Sequence, residues 1–233
     1  MSAQIAATHN DAVRNKNAVE IIQYVTDLFD KKIIFASSMG IEDQVITDML
    51  NGLNSSIGIF TLDTGRLFPE TYNLICSTEE HYSTRINVFF PDTCHVEEMI
   101  KEEGINLFYH SVENRKRCCR IRKTEPLQRA LKDYPAWICG LRRDQSVTRT
   151  EVNAIEWDNK NNLYKINPLY NWSDEQVWTY ARKHHVPYNP LHDKGFASIG
   201  CQPCTRAVKP GEDIRSGRWW WEDPDKKECG LHS

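Results

Sequence analysis

The sequence predicts an α/β fold: a parallel sheet with helices on its faces, followed by a flexible C-terminal tail. Three observations lead there. Short apolar runs rich in β-branched residues alternate with longer segments whose apolar residues recur every three or four positions. Three such strand–helix pairs follow one another between residues 31 and 104, and pairs in series build parallel sheets through right-handed crossovers. From Gly195 onward the periodicity dissolves into loops, and from about Gly211 the chain reads as a mobile tail. The expected organisation is one α/β domain over residues 1–210 and a tail over 211–233.

The elements read in order as follows. KKIIFAS (31–37) is the first strand, and IEDQVITDML behind it carries Ile41, Val45, Met49 and Leu53 at helical spacing. IGIFTLD (57–63) is the second strand, and FPETYNLICSTEEHY the second helix, with Pro69 suited to its first turn. RINVFFPD (85–92) and TCHVEEMIKEEG form the third pair, ending on Gly104. A helix follows from about Pro126, then strands around AWICGLRR and YKINPLY. The helix SDEQVWTYARKHH opens with Ser173 and Gln176 at capping-box spacing. The first thirty residues receive no assignment.

Composition narrows the function. Hydrophobic residues make up 40% and charged residues 26% of the 233, the balance of an ordinary globular protein. A net charge of -3 gives no global basic excess to recruit nucleic acid or acidic membranes. No stretch approaches the roughly 20 apolar residues of a membrane span, and the N-terminus lacks the apolar core of a signal peptide. The expected compartment is the cytoplasm. In a reducing compartment eight cysteines read as metal-binding or catalytic rather than as a disulfide framework. Cys76, on an apolar helical stripe, and Cys139, in a strand, read as buried small hydrophobes. Cys94 opens a helix and is given no special role.

In open α/β sheets ligands bind beyond the carboxyl ends of the strands. Two loops occupy that edge. SSMGIED (37–43) is small and leads into a helix whose N-terminal amides suit an anion, which makes Ser37, Ser38 and Gly40 candidate contacts. It lacks the GK[ST] of a phosphate-binding Walker loop. LDTGR (62–66) supplies Asp63, Gly65 and Arg66, the last able to pair with a phosphate or sulfate.

The strongest signal is a split set of four cysteines: adjacent Cys118 and Cys119 in RKRCCRIRK, and Cys201 and Cys204 in GCQPCTR. Four thiolates from two segments suit tetrahedral zinc or a four-iron cluster. Adjacency counts against zinc, whose paired cysteines usually sit two to four residues apart. A cluster offers separate iron corners to neighbouring side chains. A zinc staple remains the alternative. Arg115, Lys116, Arg117, Arg120, Arg122 and Lys123 crowd the first pair, and cations lower thiol pKa values. A last cysteine, Cys229, lies in the terminal KKECGLHS with His232 three positions on, an odd place for a structural thiol because chain ends fray.

The segments LDTGRLFPETY, CCRIRKTEPLQRAL, WICGLRRDQSVTR, NPLYNWS, GCQPCTR and KKECGLHS together resemble the assimilatory sulfonucleotide reductases, from about residue 31 to the end. The pattern is most similar to the thioredoxin-dependent iron–sulfur adenylyl-sulfate (APS) reductases. The resemblance implies a Rossmann-like adenine-nucleotide-binding fold of the PP-loop/HUP type, with SSMGIED standing where related pyrophosphatases carry an SGGxDS-like loop. It implies one [4Fe–4S] cluster on Cys118, Cys119, Cys201 and Cys204, and Cys229 as the nucleophile. Lys123 matches a lysine between cluster and substrate, Arg215 and Arg218 match arginines that grip the phosphosulfate, and His232 matches the tail histidine. Gly140, Arg142, Arg143 and Gln145 fall in the matching GLRRDQS motif, and Arg142 and Arg143 are carried over as substrate contacts.

The activity so implied is reduction of APS to sulfite and AMP, through an S-sulfocysteine, in sulfate assimilation and cysteine biosynthesis. Thioredoxin is the expected partner, a homo-oligomer the expected assembly, and neither nucleic acid nor membrane is expected to bind. Reduction of 3'-phosphoadenylyl sulfate (PAPS) is the nearest alternative, disfavoured by the cysteine pairs. An ATP-dependent sulfur-transfer enzyme fits the altered loop and the terminal thiol poorly. A zinc-stabilised nucleic-acid module draws only on the basic cluster at 115–123. Trp219–Trp221 are expected to dock the tail or to line the thioredoxin contact, with subunit packing as the plain alternative.

Overall fold

The computed structural model describes residues 2–145, 152–213 and 216–223. In chain order its elements are α1 (Ser2–Val13), α2 (Ala18–Leu28), β1 (Ile33–Ala36), α3 (Ile41–Gly52), β2 (Gly58–Leu62), α4 (Pro69–Tyr82), β3 (Ile86–Phe89), α5 (Thr93–Glu103), α6 (Val112–Cys119), α7 (Glu125–Leu131), β4 (Ala136–Ile138), β5 (Ile155–Asp158), β6 (Leu163–Ile166) and α8 (Asp174–Lys183). Two compact units emerge. One runs to Thr61, resumes at Leu74–Asn87 and closes with Leu131–Asn189; the other holds Leu62–Asn73, Val88–Ala130 and the chain from Pro190 on.

The first unit is built on the sheet, whose six strands lie in the order β3-β2-β1-β4-β6-β5. β1 pairs in parallel with β2 and β4, and β4 in parallel with β6. Ile33, Ile34 and Phe35 of β1 are all buried, the continuous apolar run of a strand covered on both faces. β5 was not read from the sequence. It runs antiparallel to β6 at the sheet edge, so the sheet is mixed rather than wholly parallel. Its outer side is covered: the Asn10 amide of α1 donates to Ile155 O at 2.7 Å and accepts from Ile155 N at 3.0 Å.

The unassigned N-terminus is helical for local reasons. Asn17 and Glu20 form a reciprocal capping box at the start of α2, and Ile21, Ile22 and Val25 bury one stripe. The capping box expected at Ser173 and Gln176 is present at the start of α8. Cys76 needs correction: it is exposed, not core. The buried stripe of α4 is Thr71, Leu74, Ile75, Thr78 and Tyr82, and Cys76 points off that face. Cys139 is buried as expected, its thiol 3.1 Å from Asn167 Oδ1.

The second unit carries α5, α6 and α7 around a smaller core of Met99, Leu107, Phe108, Ile121 and Trp219, joined by Cys119, Cys201 and Cys204. Asp92 and Ser111 cap α5 and α6 by accepting from the backbone N–H of His95 and Asn114. α5 ends on Gly104 at φ +85°, a conformation that favours glycine. Packing does not stop at the expected tail boundary near Gly211. Arg206 N donates to Gly217 O, Trp219 N donates to Cys204 O, and Trp219 is only 3% exposed. Among the described residues no helix is long and apolar enough to cross a membrane.

Candidate active site

In the first unit, the 37–43 segment leaves β1 and enters α3. Met39 takes φ +61°, unusual outside glycine, and turns the chain so that Gly40 becomes the helix cap. Asp43 holds this turn. Its Oδ2 accepts both the Ser38 amide and the Ser38 hydroxyl at 2.6 Å. Burial pushes the Asp43 carboxyl up to about 6, opposed by the Ser38 donors. Ser37 Oγ accepts from Met39 N at 3.2 Å, and a Cβ on Gly40 would sit 3.3 Å from Ser38 Oγ.

The loop after β4 closes on the same helix. Gly140 passes so near Asp43 that a Cβ there would fall 2.4 Å from Oδ1. Arg142 is 2% exposed and internally committed, donating to Glu42 Oε1 at 2.7 Å, Asp174 Oδ1 at 3.1 Å and Trp172 O at 3.2 Å. Arg143 is exposed, bonded through Nε to Val152 O and lying over the Tyr170 ring. Gln145 donates to Gly140 O and accepts from Arg142 N.

In the second unit, Asp63 Oδ1 accepts the Gly65 amide at 2.7 Å and the Tyr72 hydroxyl at 2.9 Å, fixing the DTG turn, where Gly65 has φ +68°. Arg66 donates to Ile105 O and Asn106 Oδ1 and lies over Phe108. Cys118 and Cys119 end α6, and the next five residues, Arg120–Thr124, form a π-helical turn. Such turns cluster at functional sites. The 3-10 turn Gln202–Cys204 holds the other pair, with Gln202 N donating to Arg66 O.

Cys118, Cys119, Cys201 and Cys204 line one cavity, with Arg66, Phe108, Arg115, Arg122, Lys123, Pro203 and Trp219. Among the described residues no carboxylate lines it. Burial pushes the Cys204 thiol up to about 12, helped by Cys201, and burial also raises Cys118. Burial raises Cys201 as well, but Lys123, the Thr64 hydroxyl at 3.2 Å, Arg218 and Arg122 together outweigh it and its net shift is downward. Arg122, 7% exposed, is pinned by donation to Thr64 O.

A sequence profile of the phosphoadenosine phosphosulfate reductase domain matches residues 32–207. The chain belongs to this family. It is 52% identical to an adenosine 5'-phosphosulfate reductase of Allochromatium vinosum over 94% of its own length and 85% of the relative's. It is 53% identical to one of Neisseria meningitidis, covering 85% and 82% of the two chains. Among solved structures it resembles a phosphoadenylyl-sulfate reductase of Candida auris in a phosphate complex, at TM-score 0.76 and 27% identity, over 89% of this chain and 98% of that one. An FMN adenylyltransferase of Candida glabrata, at 17% identity and TM-score 0.57 over 92% of this chain and 71% of that one, shares the fold alone. The fold is that of the adenine-nucleotide-binding α/β proteins.

Within this reductase-family chain the four cysteines line one space, and four thiolates from two segments are a donor set that would fit a metal centre. Trp219 Nε1, buried at that cavity, has no hydrogen-bond partner among the described residues and would find one in a sulfide or thiolate. Cations and a hydroxyl face the thiols, the surroundings an anionic thiolate centre needs. Cys229, His232 and Arg215 lie outside the described residues. Arg218 lies 5.0 Å over the Trp219 ring. The sequence reading missed Asp43, Thr64 and Glu222, whose parts depend on burial and long-range pairing that no local motif announces.

Proposed function

We propose that the protein reduces APS to sulfite and AMP with thioredoxin as electron donor, in sulfate assimilation and cysteine biosynthesis. The reading is carried by one observation: four cysteines from two segments line a single cavity bordered by cations and, among the described residues, by no carboxylate. Relatives named for APS reduction, about half identical over most of the chain, support the substrate. In the first unit, the α3 N-terminus and the Ser37–Gly40 turn are assigned to phosphate, through amides that favour anions. In the second, Asp63 and Gly65 are assigned to the substrate through the turn they form, and Arg66, Lys123 and Arg218, together with Arg215, to the phosphosulfate.

The Cys229 thiolate attacks the sulfonate sulfur. A sulfur–sulfur bond forms as the sulfur–oxygen bond to AMP breaks, and AMP leaves with the electron pair. A thioredoxin thiolate then attacks the Cys229 sulfur and expels sulfite. The second thioredoxin thiol resolves the mixed disulfide, so two electrons pass from the dithiol to sulfur and Cys229 returns as a thiol. His232 favours the thiolate. Positive charge at Lys123 and the arginines stabilises the leaving phosphate as its charge grows. A [4Fe–4S] cluster on Cys118, Cys119, Cys201 and Cys204, when bound, supplies a rigid cross-link and a fixed electrostatic centre.

Cys229→Ser tests the core of this reading. It abolishes sulfite formation and the mass increment of one SO3 on the C-terminal peptide, while visible absorbance persists. Turnover with thioredoxin in that variant overturns the nucleophile. The family's PAPS-reducing member of the same fold makes PAPS the second reading, and comparing kcat/KM for the two nucleotides separates them.

A further inference from the structure

The second unit contains a buried ion pair that the reaction above does not use. Arg115, wholly buried in α6, donates through Nε and an Nη to the two carboxylate oxygens of Glu222, at 2.9 and 2.8 Å. The Glu222 side chain is 3% exposed. Burying two charges costs about as much as their attraction returns, so such a pair adds little net stability. Its effect is geometric. The Arg115 guanidinium carbon lies 4.5 Å from the centroid of the Trp219 ring, and Glu222 N donates to Trp219 O at 2.8 Å, closing the turn that carries the ring.

The same ring carries a second guanidinium, that of Arg218, at 5.0 Å. Arg218 also lies against Gly200: a Cβ on Gly200 would fall 2.5–2.6 Å from three guanidinium atoms. The bare glycine is therefore a slot that Arg218 fills. Among the described residues Arg218 has no carboxylate partner. It reaches the Ser198 hydroxyl at 3.4 Å, and its Nε is buried without a hydrogen bond. The two cations on one tryptophan are thus treated differently. Arg115 is neutralised by Glu222, and Arg218 keeps its charge.

We infer that Arg115 and Glu222 are positioning residues that set Trp219 as the plate, and Gly200 the slot, by which Arg218 is held with its charge uncompensated toward an anionic group of the substrate. This rests on the assignment of Arg218 to the phosphosulfate made above.

The test measures equilibrium binding of APS to cluster-loaded enzyme without thioredoxin, together with KM and kcat. The variants are Arg218→Ala, Gly200→Ala, Glu222→Gln and Glu222→Gln/Arg218→Ala. Arg218→Ala weakens binding about 10- to 100-fold, the usual worth of a charge-assisted hydrogen bond. Gly200→Ala displaces the guanidinium and weakens binding by a similar factor, with iron content and melting temperature unchanged. Glu222→Gln weakens binding too, yet adds less than about twofold once Arg218 is gone, because it acts through that residue. If Arg218→Ala binds APS like wild type, the substrate assignment of Arg218 fails and the inference falls with it. If Arg218→Ala is impaired while Gly200→Ala keeps wild-type affinity, the inference alone is overturned. Losses that multiply in the double variant overturn it as well. Should Glu222→Gln lose its cluster, Gly200→Ala decides the question by itself.

Discussion

Asp43 lends itself to a quantitative test. Its carboxyl is 5% exposed, and burial raises it from 3.8 to about 6 against the two Ser38 hydrogen bonds that favour the charged form. A rise of about two pH units corresponds to roughly 3 kcal/mol of preference for the protonated form in the folded chain. The sign follows from linkage. The folded state binds the proton more tightly than the unfolded one, so this contribution is fully present below about pH 4 and is lost as pH rises through about 6. Asp43→Asn cannot titrate. Urea unfolding of both proteins, followed by far-ultraviolet circular dichroism at half-unit steps from pH 4 to 7.5, isolates the effect, because every other group is shared. The wild type loses roughly 3 kcal/mol relative to the variant across that interval. Parallel curves, separated by a constant, refute the reasoning: the carboxyl would then titrate no differently in the folded and unfolded chains. The variant also places an amide NH2 toward the backbone of Gly140, which donates to Asp43, so two donors face each other. APS binding weakens in consequence even at neutral pH.

Arg142 and Arg143 separate a structural role from a binding one. Arg142→Ala strands Glu42 and costs roughly 3 kcal/mol, read as a lowered urea midpoint. Arg143→Ala, at an exposed site, changes stability by about 0.5 kcal/mol or less and shows instead in KM; equal stability losses in both would count against the distinction. Cys201→Ser removes iron and visible absorbance from anaerobically purified protein. Stoichiometric zinc without iron in the wild type overturns the cluster.

The strand–helix alternation was legible because β1 and β2 are short, β-branched and flanked by helices with clean periodicity, so period and propensity agree. The cap at Ser173 and the stop at Gly104 were legible for a similar reason: their chemistry is complete within four residues. β5 was not, because IEWD is short and its pairing rests on β6 and on Asn10, 145 residues from Ile155. Cys76 misled because apolar neighbours at helical spacing define a stripe only once its centre is known, and Leu74 and Ile75 shift that centre away from it. The four cysteines were legible as a set because adjacency is chemically unusual. What surrounds them was not: Arg115 and Glu222 are 107 positions apart, and no local pattern links them.

A chain of net charge -3 keeps a cationic face on its thiol cavity by sorting its arginines according to partner. In the second unit Arg115, Arg117, Arg120 and Arg206 each meet a carboxylate, from Glu222, Glu102, Glu125 and Glu212 respectively. Such a partner orients the guanidinium and also cancels its field beyond a few ångströms. Arg66, Arg122 and Arg218 are oriented by neutral groups instead: the Ile105 carbonyl and Asn106 amide, the Thr64 carbonyl, and the Ser198 hydroxyl. A carbonyl or hydroxyl fixes direction and leaves the charge in place. At Cys201 burial raises the thiol, Lys123 and the Thr64 hydroxyl lead in lowering it, and Arg218 and Arg122 add to them, so the net shift is downward. Replacing one neutral anchor by an acid tests the principle directly. Ser198→Asp would pair Arg218 without removing it, and APS affinity falls about as far as in Arg218→Ala if the unspent charge is what matters. If Ser198→Asp binds APS as wild type does, position alone suffices and the sorting of partners has no electrostatic purpose.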